Sequence, residues 1–88
     1  MKVEFTEQFF KDLDVVKDRK LKLRIADAID ECKNAKRLTE VRNMKKMEGH
    51  TGYYRIRIGD FRIGIEWKEG TIWFLRLANR KDIYKIFP

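Results

Sequence analysis

An α+β fold is what the sequence predicts: two N-terminal helices packed on one face of a curved, mainly antiparallel sheet of about four strands. Three observations carry that expectation. Apolar residues recur every three or four positions as far as Cys32, then every second position from Tyr53 onward. The alternating runs "YYRIRI", "FRIGIEW" and "TIWFLRLA" are separated by "GD" and "KEG", both common hairpin punctuation.

Taken in order, "KVEF" reads as a short first strand. "TEQFFKDLDVV" follows with Phe9, Phe10, Leu13 and Val16 spaced for one helical face, and Thr6 is placed to cap it. In "KDRKLKLRIADAIDECKNAKR", Leu21, Ile25, Ala28, Ile29 and Cys32 form a second apolar stripe, opposite a face of charged residues. A charged connector around Asp18 joins the two helices as an antiparallel pair. The segment "LTEVRNMKKMEGHTG" reads as loop with a short helical or extended piece. Strand alternation then assigns Tyr54, Ile56, Ile58, Phe61, Ile63, Ile65, Trp67, Trp73, Leu75 and Leu77 to the helix-facing core, with Trp67 and Trp73 as core anchors.

The chain of 88 residues fits one small domain, residues 1–88, with room for one modest core. With 40% charged and 43% hydrophobic residues it is too apolar for a disordered chain. Its net charge of +7 favours phosphate-rich polymers, acidic proteins or anionic membranes as partners, nucleic acid being the commonest. No apolar run is long enough to span a membrane, and "MKVEFTEQFF" lacks the apolar core of a signal peptide, so a soluble, cytoplasmic protein is expected. The single Cys32 forms no internal disulfide, and with the lone His50 it makes no metal-ligand cluster. Cys32 is read as a small core residue. No metal and no small-molecule cofactor is expected.

The same alternation sends Tyr53, Arg55, Arg57, Arg62, Gly64, Glu66 and Arg76 to the helix-free side of the sheet. Like charges side by side repel and add nothing to a core, so a polyanionic partner is the better reason for grouping these arginines. Gly64, in mid-strand between Arg62 and Glu66, is expected to open a hollow in that face. "LANRKDIYKIF" brings Arg80, Lys81, Tyr84 and Lys85 behind Arg76, and an aromatic among cations suits a nucleobase with its phosphate. Arg42, Lys45 and Lys46 extend the phosphate track. Plain solvation of the sheet face, and Tyr84 as a residue pinning the tail, are the competing readings.

At these residues the chain resembles the RelE/ParE superfamily of bacterial toxins, and the RelE-like ribosome-dependent mRNA interferases in particular. The resemblance covers nearly the whole chain; its specific part runs from "MKKMEGHTGYYRIRIGDFRIGIEW" into "LANRKDIY". It implies the compact sheet with two N-terminal helices, metal-independent cleavage of mRNA in the ribosomal A site, and neutralisation by a cognate antitoxin. Carried over residue by residue, Arg55 and Arg57 match basic residues of the first hairpin strand. Arg62 matches the arginine opening the next strand, Arg80 the arginine after the last, and Tyr84 the C-terminal tyrosine. Some members carry lysine where Arg57 stands, and many carry histidine where Asn79 stands.

The chemistry so implied is attack by a ribose 2′-hydroxyl on the adjacent phosphodiester. Arg57, Arg62, Arg80 and Tyr84 are the expected catalytic residues: Arg62 and Arg80 stabilise the phosphate, Arg57 polarises the hydroxyl, and Tyr84 stacks on a base or sugar. Arg55, Lys45, Lys46, Arg76 and Lys81 are the expected RNA-binding residues. Arginine is a poor general base, and Glu66, His50 and Asp82 stay open as proton acceptors. Ribosome, mRNA and an antitoxin are the expected partners. The alternatives are a ParE-like poison of DNA gyrase and a non-catalytic RNA-binding module.

Overall fold

The computed structural model describes every residue from Met1 to Pro88. Strand β1 (Lys2–Phe5) leads into helix α1 (Glu7–Asp14) and the longer α2 (Arg19–Asn34). After a 3-10 turn at Leu38–Glu40 come β2 (Met44–Lys46), β3 (Tyr53–Ile58), β4 (Phe61–Lys68) and β5 (Thr71–Asn79), and then a single helical turn, α3 (Ile83–Ile86). The sheet has five strands in the order β1-β5-β4-β3-β2, antiparallel except that β1 runs parallel to β5. The α+β arrangement is as expected. The additional strand is β2, three residues inside the segment read as loop with a short helical or extended piece, and the 3-10 turn lies in that segment too.

Local chemistry sets the helix starts. The Thr6 hydroxyl accepts from the Phe9 amide at 3.1 Å and donates to the Leu75 carbonyl at 2.9 Å, so one side chain caps α1 and ties it to β5. The Asp18 carboxylate caps α2 by accepting from the Leu21 amide at 3.2 Å. Both helices pack apolar residues on one face of the sheet, but Phe10, expected in the α1 stripe, is half exposed. Phe9, Leu21, Ile25, Ala28 and Cys32 join Ile56, Ile63, Ile65, Ile72 and Phe74 in a single core. Phe74 stacks on Phe5 at 5.2 Å and meets Phe9 edge-on at 5.6 Å, which fixes α1 over β5.

The expected phase of β5 changes part-way along the strand. The β4–β5 register slips between Gly64 and Ile65, which pair with Arg76 and Phe74 and leave Leu75 as the extra residue. Before this bulge Ile72 and Phe74 face the helices; after it Leu77 does. Leu77 therefore occupies its expected place, whereas Trp73 and Leu75 do not belong to the core. Trp67 shares the helix-facing side with its cross-strand partner Ile72 but is 41% exposed, so it is no core anchor either. In the β4–β5 turn, Glu69 and Gly70 both have positive φ, the mark of a type I′ turn.

Candidate nucleic-acid interface

On the helix-free face the register sets Arg57 directly opposite Arg62, Arg55 opposite Gly64, and Lys45 opposite Arg55. The chain returns to this face after β5. The Arg80 amide donates to the Asp60 carbonyl at 2.7 Å, which holds the start of the tail against the β3–β4 turn. In α3 the inward residue is Ile83, fully buried, while Tyr84 is 55% exposed. The Phe87 amide donates to the Ile83 carbonyl at 2.8 Å, bringing a second apolar residue of the tail down onto the sheet.

Arg62 is the centre of this arrangement. Its Nη1 donates to the carbonyls of Gly59 and Phe61 at 2.8 and 2.9 Å, which fixes the guanidinium on the turn. Partial burial and the charges of Arg55, Arg57 and Arg80 push its pKa below the ordinary arginine value, with Tyr84 acting in the opposite sense. Those groups are therefore close enough to share one field. None of Arg55, Arg57, Arg62 and Arg80 is ion-paired, although other cations of the chain are: Arg76 with Asp12, Arg42 with Glu31, Lys85 with Asp82. Positive charge without internal counter-ions, on arginine forks beside an exposed phenol, suits an anion with a planar ring attached.

Several expected members sit elsewhere. Arg76 is rooted on this face, but its guanidinium turns to the Asp12 carboxylate on α1, with Nε at 2.9 Å, and so leaves the basic cluster. The same carboxylate accepts from the Leu77 amide at 2.9 Å on the part of β5 that β1 does not pair. Lys45 and Lys46, adjacent in a strand, point to opposite sides; Lys46 stands across from Tyr54 on the helix side. Lys81 is exposed in the turn after β5.

The hollow expected at Gly64 is filled by the chain itself. A Cβ at Gly64 would lie 2.6 Å from the Phe87 ring, which also meets Tyr53 edge-on at 5.7 Å. Phe87 thus divides the face, with Arg62 on one side along β4 and Glu66 on the other. His50 lies against Tyr53 on Glu66's side, and Asp82 is 3.7 Å from Lys85. No three His, Cys, Asp or Glu side chains gather closely enough to hold a metal ion.

Comparison with known proteins adds the family. Residues 3–84 match the model of the ParE toxin of type II toxin–antitoxin systems. Along its whole length the chain is 45% identical to Toxin RelE3 of Methanocaldococcus jannaschii, itself covered completely. The chain belongs to the RelE/ParE toxin family. Among solved structures, the RelB–RelE antitoxin–toxin complex of Methanococcus jannaschii matches with a TM-score of 0.82 at 42% identity, covering 97% of this chain and 99% of that one. The archaeal RelE–RelB complex of Pyrococcus horikoshii matches at 0.71 and 26% identity, over 90% and 93%. YafQ of E. coli, at 17% identity and a TM-score of 0.66 over 94% and 97%, shares the fold. Within this RelE-like toxin, Arg55, Arg57, Arg62, Arg80 and Tyr84 are the residues that the fold gathers from two strands and the tail.

Proposed function

We propose that this RelE-like toxin is an endoribonuclease that cuts mRNA in the ribosomal A site. The 2′-oxygen of a ribose attacks the adjacent phosphorus, the bond to the 5′-oxygen breaks, and the products are a 2′,3′-cyclic phosphate and a 5′-hydroxyl. Arg62 and Arg80 hold the phosphate and stabilise its growing charge. Arg57 polarises the 2′-hydroxyl, Tyr84 stacks on a neighbouring base or sugar, and Arg55 and Lys45 guide the strand.

The observation that carries the reading is geometric: Arg57 stands directly opposite Arg62, Arg55 is one pair along on the same face, and the Arg80 amide is held on the Asp60 carbonyl of the β3–β4 turn, all without an internal counter-ion. Fixed donors of this kind act without reorganising during reaction, and removing one typically costs about 10²- to 10³-fold in rate. Glu66 and His50 lie across Phe87 from Arg62, and Asp82 is held by Lys85. The reading therefore gives this chain alignment and charge stabilisation, and gives the proton transfers to solvent or ribosomal groups. Action on ribosomes places the protein in the cytoplasm. Its relatives' complexes with RelB support a cognate antitoxin as the neutralising partner.

Translation of a defined mRNA with the purified protein, followed by mapping of 5′ ends, tests this. New ends within codons are expected from the native chain, with about a hundredfold fewer from Arg80→Ala and a clear loss from Tyr84→Ala. An intact message overturns the reading. The second reading is a ParE-like poison of DNA gyrase, the matching family model being that of the ParE toxin, and inhibition of supercoiling by the same preparation would select it.

A further inference from the structure

A hollow with a different lining lies on the other side of the sheet from the arginine face. There a cavity of about 480 Å³ is lined by Tyr54 and Trp67 from β3 and β4, and by Lys36, Arg37 and Leu38 from the segment after α2. The hollow is wide and open to solvent, a shallow groove rather than an enclosed pocket. Tyr54 faces Ile65, and Trp67 is two residues farther along β4, so the two rings are diagonal neighbours on one face. Trp67 belongs to the helix-facing row yet is 41% exposed. Its indole is only partly buried there, and the remainder offers an open π surface.

Charge distinguishes this cavity from its neighbours. The other hollows around α2 each include acids: Asp27 and Glu31 in one, Asp18 and Asp60 in another, Asp14 in a third. The lining here has cations and no acid. Glu40, close by, is occupied in accepting from the Lys36 amide at 2.9 Å. Lys46 stands directly across from Tyr54 and adds a further cation on that edge. The Met1 ammonium is already engaged by the carbonyls of Cys32, Lys33 and Ala35.

We propose that this cavity binds an unpaired RNA nucleotide, its base on Trp67 and its phosphate on Lys36 and Arg37, as a docking site separate from the arginine face. Aromatic walls with a cationic rim are the general solution for single-stranded nucleic acid, because every base has a π face and every linkage a charge. The ligand class rests on the RNA-directed reading above. The site itself does not, since the sheet separates it from Arg62 and Arg80, and its role is to hold RNA while the other face reacts.

In a Trp73→Phe background Trp67 is the only indole, so its fluorescence reports this cavity alone. Titration with penta-adenylate RNA is expected to give a saturable quench. Its midpoint should weaken about fivefold or more in Tyr54→Ala and in Arg37→Ala. By anisotropy of the labelled RNA, Trp67→Ala should bind more weakly while Trp67→Phe, which keeps a ring, stays near native. Arg80→Ala should keep the quench even as it loses cleavage. Absence of a quench, an equal response to inorganic polyphosphate, or a response to a glutamate-rich peptide in place of RNA overturns the proposal. A quench without mRNA cleavage overturns the nuclease reading alone, and cleavage without a quench overturns this one alone.

Discussion

The ring of Phe87 rests on Gly64 so closely that a Cβ at residue 64 would stand 2.6 Å from it. The glycine in β4 is thus a seat for the chain's own tail, and the tail carries Tyr84 to the arginines. Gly64→Ala should displace the ring, at a cost of about 1–3 kcal/mol if the tail stays packed, or by freeing the tail if it does not. Denaturant unfolding reads the first outcome; faster tryptic cleavage after Lys85 reads the second. The double variant Gly64→Ala/Phe87→Ala removes the clash, so its loss should be smaller than the sum of the two single losses. Strict additivity would show that the ring and the glycine do not meet.

Asp12 gives a pH dependence with a definite sign. Burial pushes its pKa up, but hydrogen bonds from Arg76, the Leu77 amide and Gln8, with the Arg76 charge, outweigh burial and leave it below its ordinary 3.8. A carboxyl depressed in the folded state contributes stability that is fully present above the unfolded value and is lost as pH falls through the folded one. Unfolding free energy measured from about pH 5 to pH 2 should therefore fall less steeply in Asp12→Asn than in the native chain. Parallel slopes would remove Asp12 from the acid response. At neutral pH, Asp12→Ala should cost about 1.5–3 kcal/mol, because Arg76 and an edge amide both lose their acceptor.

The sequence was legible wherever periodicity and backbone geometry agree. The α2 stripe, the Thr6 cap, the hairpins and the face shared by Arg55, Arg57 and Arg62 all follow from local spacing, whereas Phe10 of the α1 stripe is half exposed. The bulge was legible only in part, since Gly64 in mid-strand permits one, whereas the slip that leaves Leu75 unpaired depends on two strands at once. Arg76 has its expected face, and its guanidinium turns away to Asp12 for a reason that the sequence does contain. Phe9, Asp12, Leu13 and Val16 follow one helical stripe, and an acid within such a stripe calls for a buried partner. Phe87 also had a signal, its i,i+4 spacing from Ile83, but the seat that receives it is more than twenty residues away in sequence.

Cys32 should behave as an inert thiol. Burial, then the Glu31 carboxylate, push its pKa up to about 12, with the Met1 ammonium pulling the other way. The thiolate is the reactive form, so at about pH 8 a disulfide reagent should modify native protein only as fast as the chain opens, and unfolded protein at once. Rapid labelling of the native protein would show that α2 frays at its C-terminal end.

The Arg57–Arg62 pair sets stability against activity. The two cations lie directly opposite each other on adjacent strands, an arrangement that destabilises a sheet. Arg57→Gln removes the repulsion and keeps a hydrogen-bonding side chain of similar reach. Its unfolding midpoint should stay level or rise, while mRNA cleavage falls by about a hundredfold if Arg57 polarises the attacking hydroxyl. Added salt screens exposed like charges, so it should stabilise the native chain more than the variant. A variant that is less stable and still fully active would mean that Arg57 serves the fold, and the attacking hydroxyl would then need a different partner on this face.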